Sequence, residues 1–126
     1  MIASPHPSEI LIVLTSLPDA VSAQKLAALL IERHLAACVN ILAPCQSVYR
    51  WQGKVEQATE IPLLIKTTAN VYTALEACIR AQHPYELPEI IAVPIDCGLP
   101  EYLGWVAAET LSDTSDMPTA AHTPPC

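Results

Sequence analysis

Charge is scarce in this sequence. Of 126 residues only 15% are charged, six Lys+Arg and thirteen Asp+Glu, while 52% are apolar. A soluble domain usually carries about 25% charged residues, so this chain has less charge than its surface would ordinarily want. With a mean hydropathy of +0.33, two options remain: a membrane protein, or an oligomer that buries part of its outside. Long apolar runs are missing as well. The longest uninterrupted aliphatic stretches, Ile10–Leu14 and Leu26–Ile31, fall far short of the roughly 18–20 residues that span a bilayer. No Lys or Arg occurs in the first nine residues, so a signal peptide would lack its charged n-region. What remains is a cytoplasmic oligomer with no membrane partner.

Basic residues are few and scattered: Lys25, Arg33, Arg50, Lys54, Lys66 and Arg80. Together with a net charge of −7, this excludes sequence-independent binding of nucleic acid, which needs clustered Lys and Arg to neutralise phosphates. Acidity is compatible with cations as ligands. The five cysteines, Cys38, Cys45, Cys78, Cys97 and Cys126, form no C-x-x-C pair and are odd in number, so they read as reduced thiols. Only three glycines occur, Gly53, Gly98 and Gly104, which excludes a glycine-rich phosphate cradle. The hydrolase elbow, the H-E-x-x-H zinc motif, the Walker loop and the dinucleotide fingerprint are all absent. The chain therefore reads as a non-enzyme.

Both ends, residues 1–8 and 112–126, are rich in Pro, Ser, Thr and Asp without hydrophobic period, and are expected to be disordered tails. The folded unit is expected over 9–111. Within it, Glu9–Thr15 is an apolar run suited to a strand buried on both faces. From Ala20 to His34, Ala23, Leu26, Ala27 and Leu30 recur at helical spacing. Cys38–Leu42 reads as a strand interrupted or bent by Pro44, and Val48–Trp51 resumes it. Gln52-Gly53 is a two-residue hairpin turn, and the return arm runs from Lys54 to Thr67. Pro62 in that arm predicts a sheet edge or a bulge. Asn70 is a candidate N-cap for a second helix with Val71, Leu75, Cys78 and Ile79 on one face, ended by Pro84. Glu89–Asp96 is the last strand. Pro100 opens a final helix with Tyr102, Trp105 and Val106 inward. The order β-α-β-β-α-β is the ferredoxin-like arrangement of the α+β class, here with an extra C-terminal helix.

Each hairpin arm could reach about 14 residues, or roughly 47 Å at about 3.4 Å per residue. A compact domain of about 100 residues has a radius of gyration of only about 13 Å. The hairpin tip, with Val48, Tyr49, Trp51 and Val55, must overhang its own sheet and invites pairing with another subunit.

Four ordered motifs then carry a resemblance: Leu35–Asn40, Tyr49–Val55, Ile65–Thr68 and His83–Ile91. They resemble the CutA divalent-cation tolerance family over about residues 9–110. That resemblance implies a ferredoxin-like subunit in a P-II-like homotrimer, a cytoplasmic location, and a role in the response to divalent metal ions without known catalysis. Copper(II) is the first metal it suggests and zinc(II) the second. His83 and Glu89 are the candidate ligands, since imidazole with carboxylate suits either ion. The alternative for them is structural: His83 closing a helix C-terminus, Glu89 accepting backbone hydrogen bonds. Some relatives offer a cysteine where this chain has Thr15, and a hydroxyl is a poor ligand for soft copper(I). Trp51, Glu60, Lys66, Tyr85 and Glu86 are the residues that could line an inter-subunit cleft. Interface packing by the aromatics and an ion pair for Lys66 is the plainer account of them. The competing functional reading is a P-II-like signalling or scaffold trimer that binds a small ligand or protein partner in that cleft.

Overall fold

The structure, a computed structural model, describes residues 9–111; the two expected tails lie outside the described residues. The elements are β1 (Ile10–Leu17), α1 (Ala20–Glu32), β2 (Cys38–Ile41), β3 (Cys45–Trp51), β4 (Lys54–Thr68), α2 (Tyr72–Gln82), β5 (Ile91–Pro94) and α3 (Pro100–Glu109). The sheet is antiparallel with order β2-β4-β1-β5, and β3 pairs β4 beyond β2. Each helix crossover thus skips one strand position, so the first and last strands lie side by side.

Helix α1 forms as its period requires. Asp19 caps it by accepting from the Ser22 amide at 2.8 Å, and the bonds this capping makes hold the Asp19 carboxyl below its usual range. Ala23, Leu26, Ala27 and Leu30 are the buried stripe. Against them, and against Leu75, Cys78 and Ile79 of α2, the sheet sets Val13, Leu17, Leu63 and Ile65 in one core. These sheet residues alternate along their strands, as a half-covered sheet demands. The intervening positions of the ladder put Ile12, Leu14, Leu64, Ile91 and Val93 on the opposite face, in register across β4, β1 and β5. Helices α1 and α2 cover the first face; α3 meets the second only at its Ile10–Thr68 end.

Pro44 separates β2 from β3, as its ring predicts. Gln52 and Gly53 both take positive φ, 51° and 81°, the geometry of a tight hairpin turn that matches strand twist. Pro62 falls at a bulge, one of the two places its ring predicts. Inside the 15-residue β4, residues 42–44 face only Ile61 and Pro62 between the Ile41–Leu63 and Cys45–Glu60 pairs, and the Pro62 carbonyl accepts from the Leu42 amide at 2.9 Å. Its missing N–H faces that break between β2 and β3, where little ladder is lost. Asn70 is corrected. It sits in a 3-10 turn over Ala69–Val71, and α2 starts at Tyr72 without a side-chain cap. In α3 only Val106 is buried; Tyr102 and Trp105 stack on each other at 5.6 Å on the exposed side. Thr110 instead anchors α3, bonding the Val106 carbonyl and meeting the Thr68 hydroxyl of β4. The thiol expectation fails at Cys78, which is disulfide-bonded, since pairing is not deducible from spacing; Cys38, Cys45 and Cys97 are free.

Candidate functional site

One cleft of about 720 Å³ opens between the β3 arm of the hairpin, the end of β1 and the loop following α2. Its walls arise from local rules. Tyr49 and Trp51 stand two residues apart on β3 and therefore share a face. Glu60 is opposite Cys45 in the register, one residue before β4 meets the end of β1 at the Leu17–Ile61 pair. Pro84, Tyr85, Glu86, Leu87 and Glu89 come from the loop. Burial, followed by the charge of nearby Glu60, pushes the Tyr85 phenol above its ordinary range.

His83 holds that loop in place. Its ring is buried, 8% exposed. The Tyr85 amide donates to Nδ1 at 3.1 Å, so Nδ1 carries a lone pair and Nε2 carries the proton. Nε2–H donates to the Ser16 carbonyl at 2.6 Å. The need for that bond is visible in the ladder. Ile10 turns its carbonyl toward β5, accepting from Ile95, and alternation along an antiparallel strand turns Ser16 the same way. Yet the β1–β5 ladder ends at the Leu14–Ile91 pair. His83 takes the place of the missing strand residue.

Of the sequence-derived residues, Trp51, Glu60, Tyr85, Glu86 and Glu89 meet in the cleft. His83 stands behind it with both ring nitrogens engaged. Lys66 is elsewhere: its Nζ donates to Asn40 Oδ1 at 2.5 Å, on the sheet face that the helices leave open. No group of three or more His, Cys, Asp or Glu side chains is gathered closely enough to hold a metal ion among the described residues. Tyr49, Arg50 and Ser16 join the lining without having been singled out as site residues. Tyr49 was findable from its i, i+2 relation to Trp51. Ser16 was not, because only its position past the last β5 pair brings it there.

Electrostatically the cleft is acidic. Glu60, Glu86 and Glu89 stand against Arg50, and aromatic faces fill much of the remaining wall. The fold is that of a small α+β protein with an antiparallel sheet, α1 and α2 packed on one face and an open, acidic cleft at the hairpin. The comparisons give its family. The model of a family described as CutA1 divalent ion tolerance protein matches residues 11–109. A divalent-cation tolerance protein CutA from Thermus thermophilus is 44% identical over 99 residues, 79% of this chain and 96% of that protein. The crystal structure of CutA from Xylella fastidiosa superposes with a TM-score of 0.80 at 45% identity, covering 82% of this chain and 99% of the other. The structure from Archaeoglobus fulgidus, described as the periplasmic divalent cation tolerance protein CutA, gives 0.78 at 35% identity, covering 81% of this chain and 99% of that one. The chain belongs to the CutA1 divalent ion tolerance family. Among the described residues no helix is long and apolar enough to cross a membrane.

Proposed function

We propose that this chain works as a homotrimeric, ferredoxin-like divalent-cation tolerance protein that binds divalent metal such as copper at the cleft, without catalysis, in the cytoplasm. The observation that carries the reading is the match of residues 11–109 to the CutA1 divalent ion tolerance family. Glu60, Glu86 and Glu89 line the same open cleft as Arg50. Since the described residues gather no ready-made group of three ligands, any ion there keeps part of its water shell. Glu86 and Glu89 follow His83 by three and six residues, and copper(II) is favoured over zinc(II) by any N/O set. His83 joins the ion only by giving up one of its two hydrogen bonds, so the carboxylates bind first.

Assembly is supported by two features. The uncovered sheet face carries Ile12, Leu14, Leu64, Ile91 and Val93, and the hairpin carries Val48 and Val55, each more than 60% exposed. Apolar surface of that kind marks an interface. The strand order β2-β4-β1-β5 supports the ferredoxin-like description, and the elements from Ile10 to Glu109 support 9–111 as the folded unit. The aromatic lining favours a second reading, a P-II-like signalling or scaffold trimer holding a small ligand in the same cleft.

Calorimetric titration with copper(II) tests the first reading. One equivalent per subunit is expected, weakened in Glu89→Gln and in Glu60→Gln. Binding that is unchanged in both variants refutes the cleft as the metal site. Light scattering of Trp51→Ala at low concentration tests assembly, with looser association expected.

A further inference from the structure

Cys78 belongs to the core and is bonded to something beyond it. It is 1% exposed and packs with Leu75 and Ile79 in the main cluster, yet its sulfur is in a disulfide. The chain has five cysteines, and Cys38, Cys45 and Cys97 are free. Of the five, that leaves Cys126 as the partner within the chain.

The shape of α2 explains how a second sulfur comes within reach. Leu75, Cys78 and Ile79 are the buried residues of this helix, and Cys78 stands at the margin of the stripe. At 3.6 residues per turn, Ala74 and Ala81 lie beside it on the outward side. Both are exposed, as is Ala77 between them. On that flank α2 screens the sulfur with methyl groups, and an extended chain can approach closely.

The reach is sufficient. Thr110, at the end of α3, meets Thr68, and α2 begins at Tyr72, so α3 ends near the start of α2. Cys78 lies about 9 Å further along the helix axis. Residues 112–126 contain Pro118, Pro124 and Pro125, which favour an extended chain of about 3.1 Å per residue, or about 47 Å in all. That length carries the chain from the α3 side of the sheet round its end to α2. The route also avoids the proposed assembly surfaces. The helix layer lies on the sheet face opposite Ile12, Leu14 and Leu64, and the hairpin leaves the sheet at the Leu17–Ile61 end, away from Thr68.

We propose that residues 112–126 form a redox-controlled strap that closes on the Cys78 flank of α2 through a Cys78–Cys126 disulfide. The inference goes beyond the cation reading and does not depend on it. In a reducing compartment the strap stands open. A low-molecular-weight disulfide closes it by exchange. The Cys126 thiolate attacks one sulfur of that disulfide and expels one small thiol; the Cys78 thiolate then attacks the Cys126 sulfur and expels the second. The two protein protons pass to the two thiols released, so the small disulfide is reduced as the protein is oxidised.

The test uses the full-length protein equilibrated in glutathione buffers of graded ratio, quenched by alkylation and cleaved after glutamate. Glu76 and Glu86 bracket Cys78, and Glu109 precedes Cys126, so the closed strap is read by mass as 77–86 joined to 110–126. That product is expected at single-chain size on a non-reducing gel. The effective concentration of the thiol pair should be at least about tenfold higher in the native protein than in concentrated urea. The oxidised protein should melt on the order of 10 °C above the reduced one at equal concentration, a gap that disappears in Cys126→Ser. Absence of the joined product at every ratio overturns the proposal, as does Cys78 joined to another cysteine or to a second chain. So does an effective concentration no higher than in urea, or a melting gap that persists in Cys126→Ser.

Discussion

Replacing His83 by leucine keeps an apolar body of similar bulk and removes two hydrogen bonds. The Ser16 carbonyl loses the Nε2–H donor 2.6 Å away, and the Tyr85 amide loses the Nδ1 acceptor at 3.1 Å. Ser16 lies past the last β1–β5 pair, so no neighbouring strand amide replaces the donor. A buried polar group left without a partner costs about 1–3 kcal/mol. Both bonds here are only partly buried, which puts the sum near the lower end, about 2 kcal/mol. For a domain of this size about 1 kcal/mol moves the midpoint by about 4–8 °C, so His83→Leu should melt on the order of 10 °C lower. Midpoints must be compared at one protein concentration, because association shifts them by mass action. Amide hydrogen exchange supplies the local readout. Exchange at Tyr85 should accelerate far more than exchange at Leu30 or Ile65 in the core. A variant that melts within about 2 °C of the parent, with Tyr85 exchange unchanged, would show that His83 does not hold the cleft loop.

The remaining tests probe separate parts of the molecule. Leu30→Ala empties a fully buried site in the core and should cost about 2–5 kcal/mol in denaturant unfolding; a loss below 1 kcal/mol would mean that α1 collapses onto the sheet. Asp19→Ala should lower the melting temperature at neutral pH by removing the α1 cap. Because the Asp19 carboxyl is held low, the difference between parent and variant should be full above the ordinary carboxylate range and shrink as pH falls through it. A difference constant down to strongly acid pH would contradict the capping role. At the alkaline end, Tyr72 is pushed up to about 12 by burial and by Glu76, and Tyr85 is raised by burial and Glu60. Both favour the protonated fold, so their contribution is present below pH 10 and is lost as pH rises through the raised values. Absorbance titration of tyrosinate should show Tyr85 ionising at lower pH in Glu60→Gln, and an unshifted curve would break the Tyr85–Glu60 pair.

Much of the fold was legible because it rests on local chemistry. The α1 stripe follows from spacing alone, and all four of its apolar residues are buried. Gly53 and Pro44 mark the turn and the break through backbone restrictions that hold in any context. Other features depend on what lies across space. Tyr102 and Trp105 share a helical face with Val106, yet α3 meets β1 and β4 only along the line of Val106 and Thr110. Asn70 had a better competitor for the preceding turn, since the Ala69 amide is drawn to the Glu9 carbonyl at 2.8 Å. The cleft was half visible. Trp51 and Tyr85 were marked by family resemblance, but the partners of His83 are Tyr85, two residues on, and Ser16, 67 residues back. Sequence spacing carries no sign of the second, because the contact depends on where β5 stops.

The cleft itself follows from a mismatch in strand length. β1 has 8 residues and β4 has 15. Only the second part of β4, from Ile61 to Thr68, pairs with β1, and the part before it pairs with β3 alone. At about 3.4 Å per residue, the seven unmatched residues of β4 run about 24 Å past the end of β1. The edge that β1 covers farther along is therefore open in the ribbon. Loop 84–89 enters beside it because His83 is pinned to the last turn of β1, and Glu60 sits at the first position past the junction. Core and cleft consequently depend on different residues. The core uses Ile61, Leu63 and Ile65 of β4; the cleft uses Glu60 and the ribbon beyond it. Removing the Trp51–Lys54 pair that flanks the Gln52-Gly53 turn should thus leave the core melting behaviour of the subunit intact while deleting Trp51 from the site. Metal binding, and any assembly through the hairpin, would change before stability does. A shortened hairpin that unfolds the core instead would mean that the ribbon stabilises the sheet it overhangs.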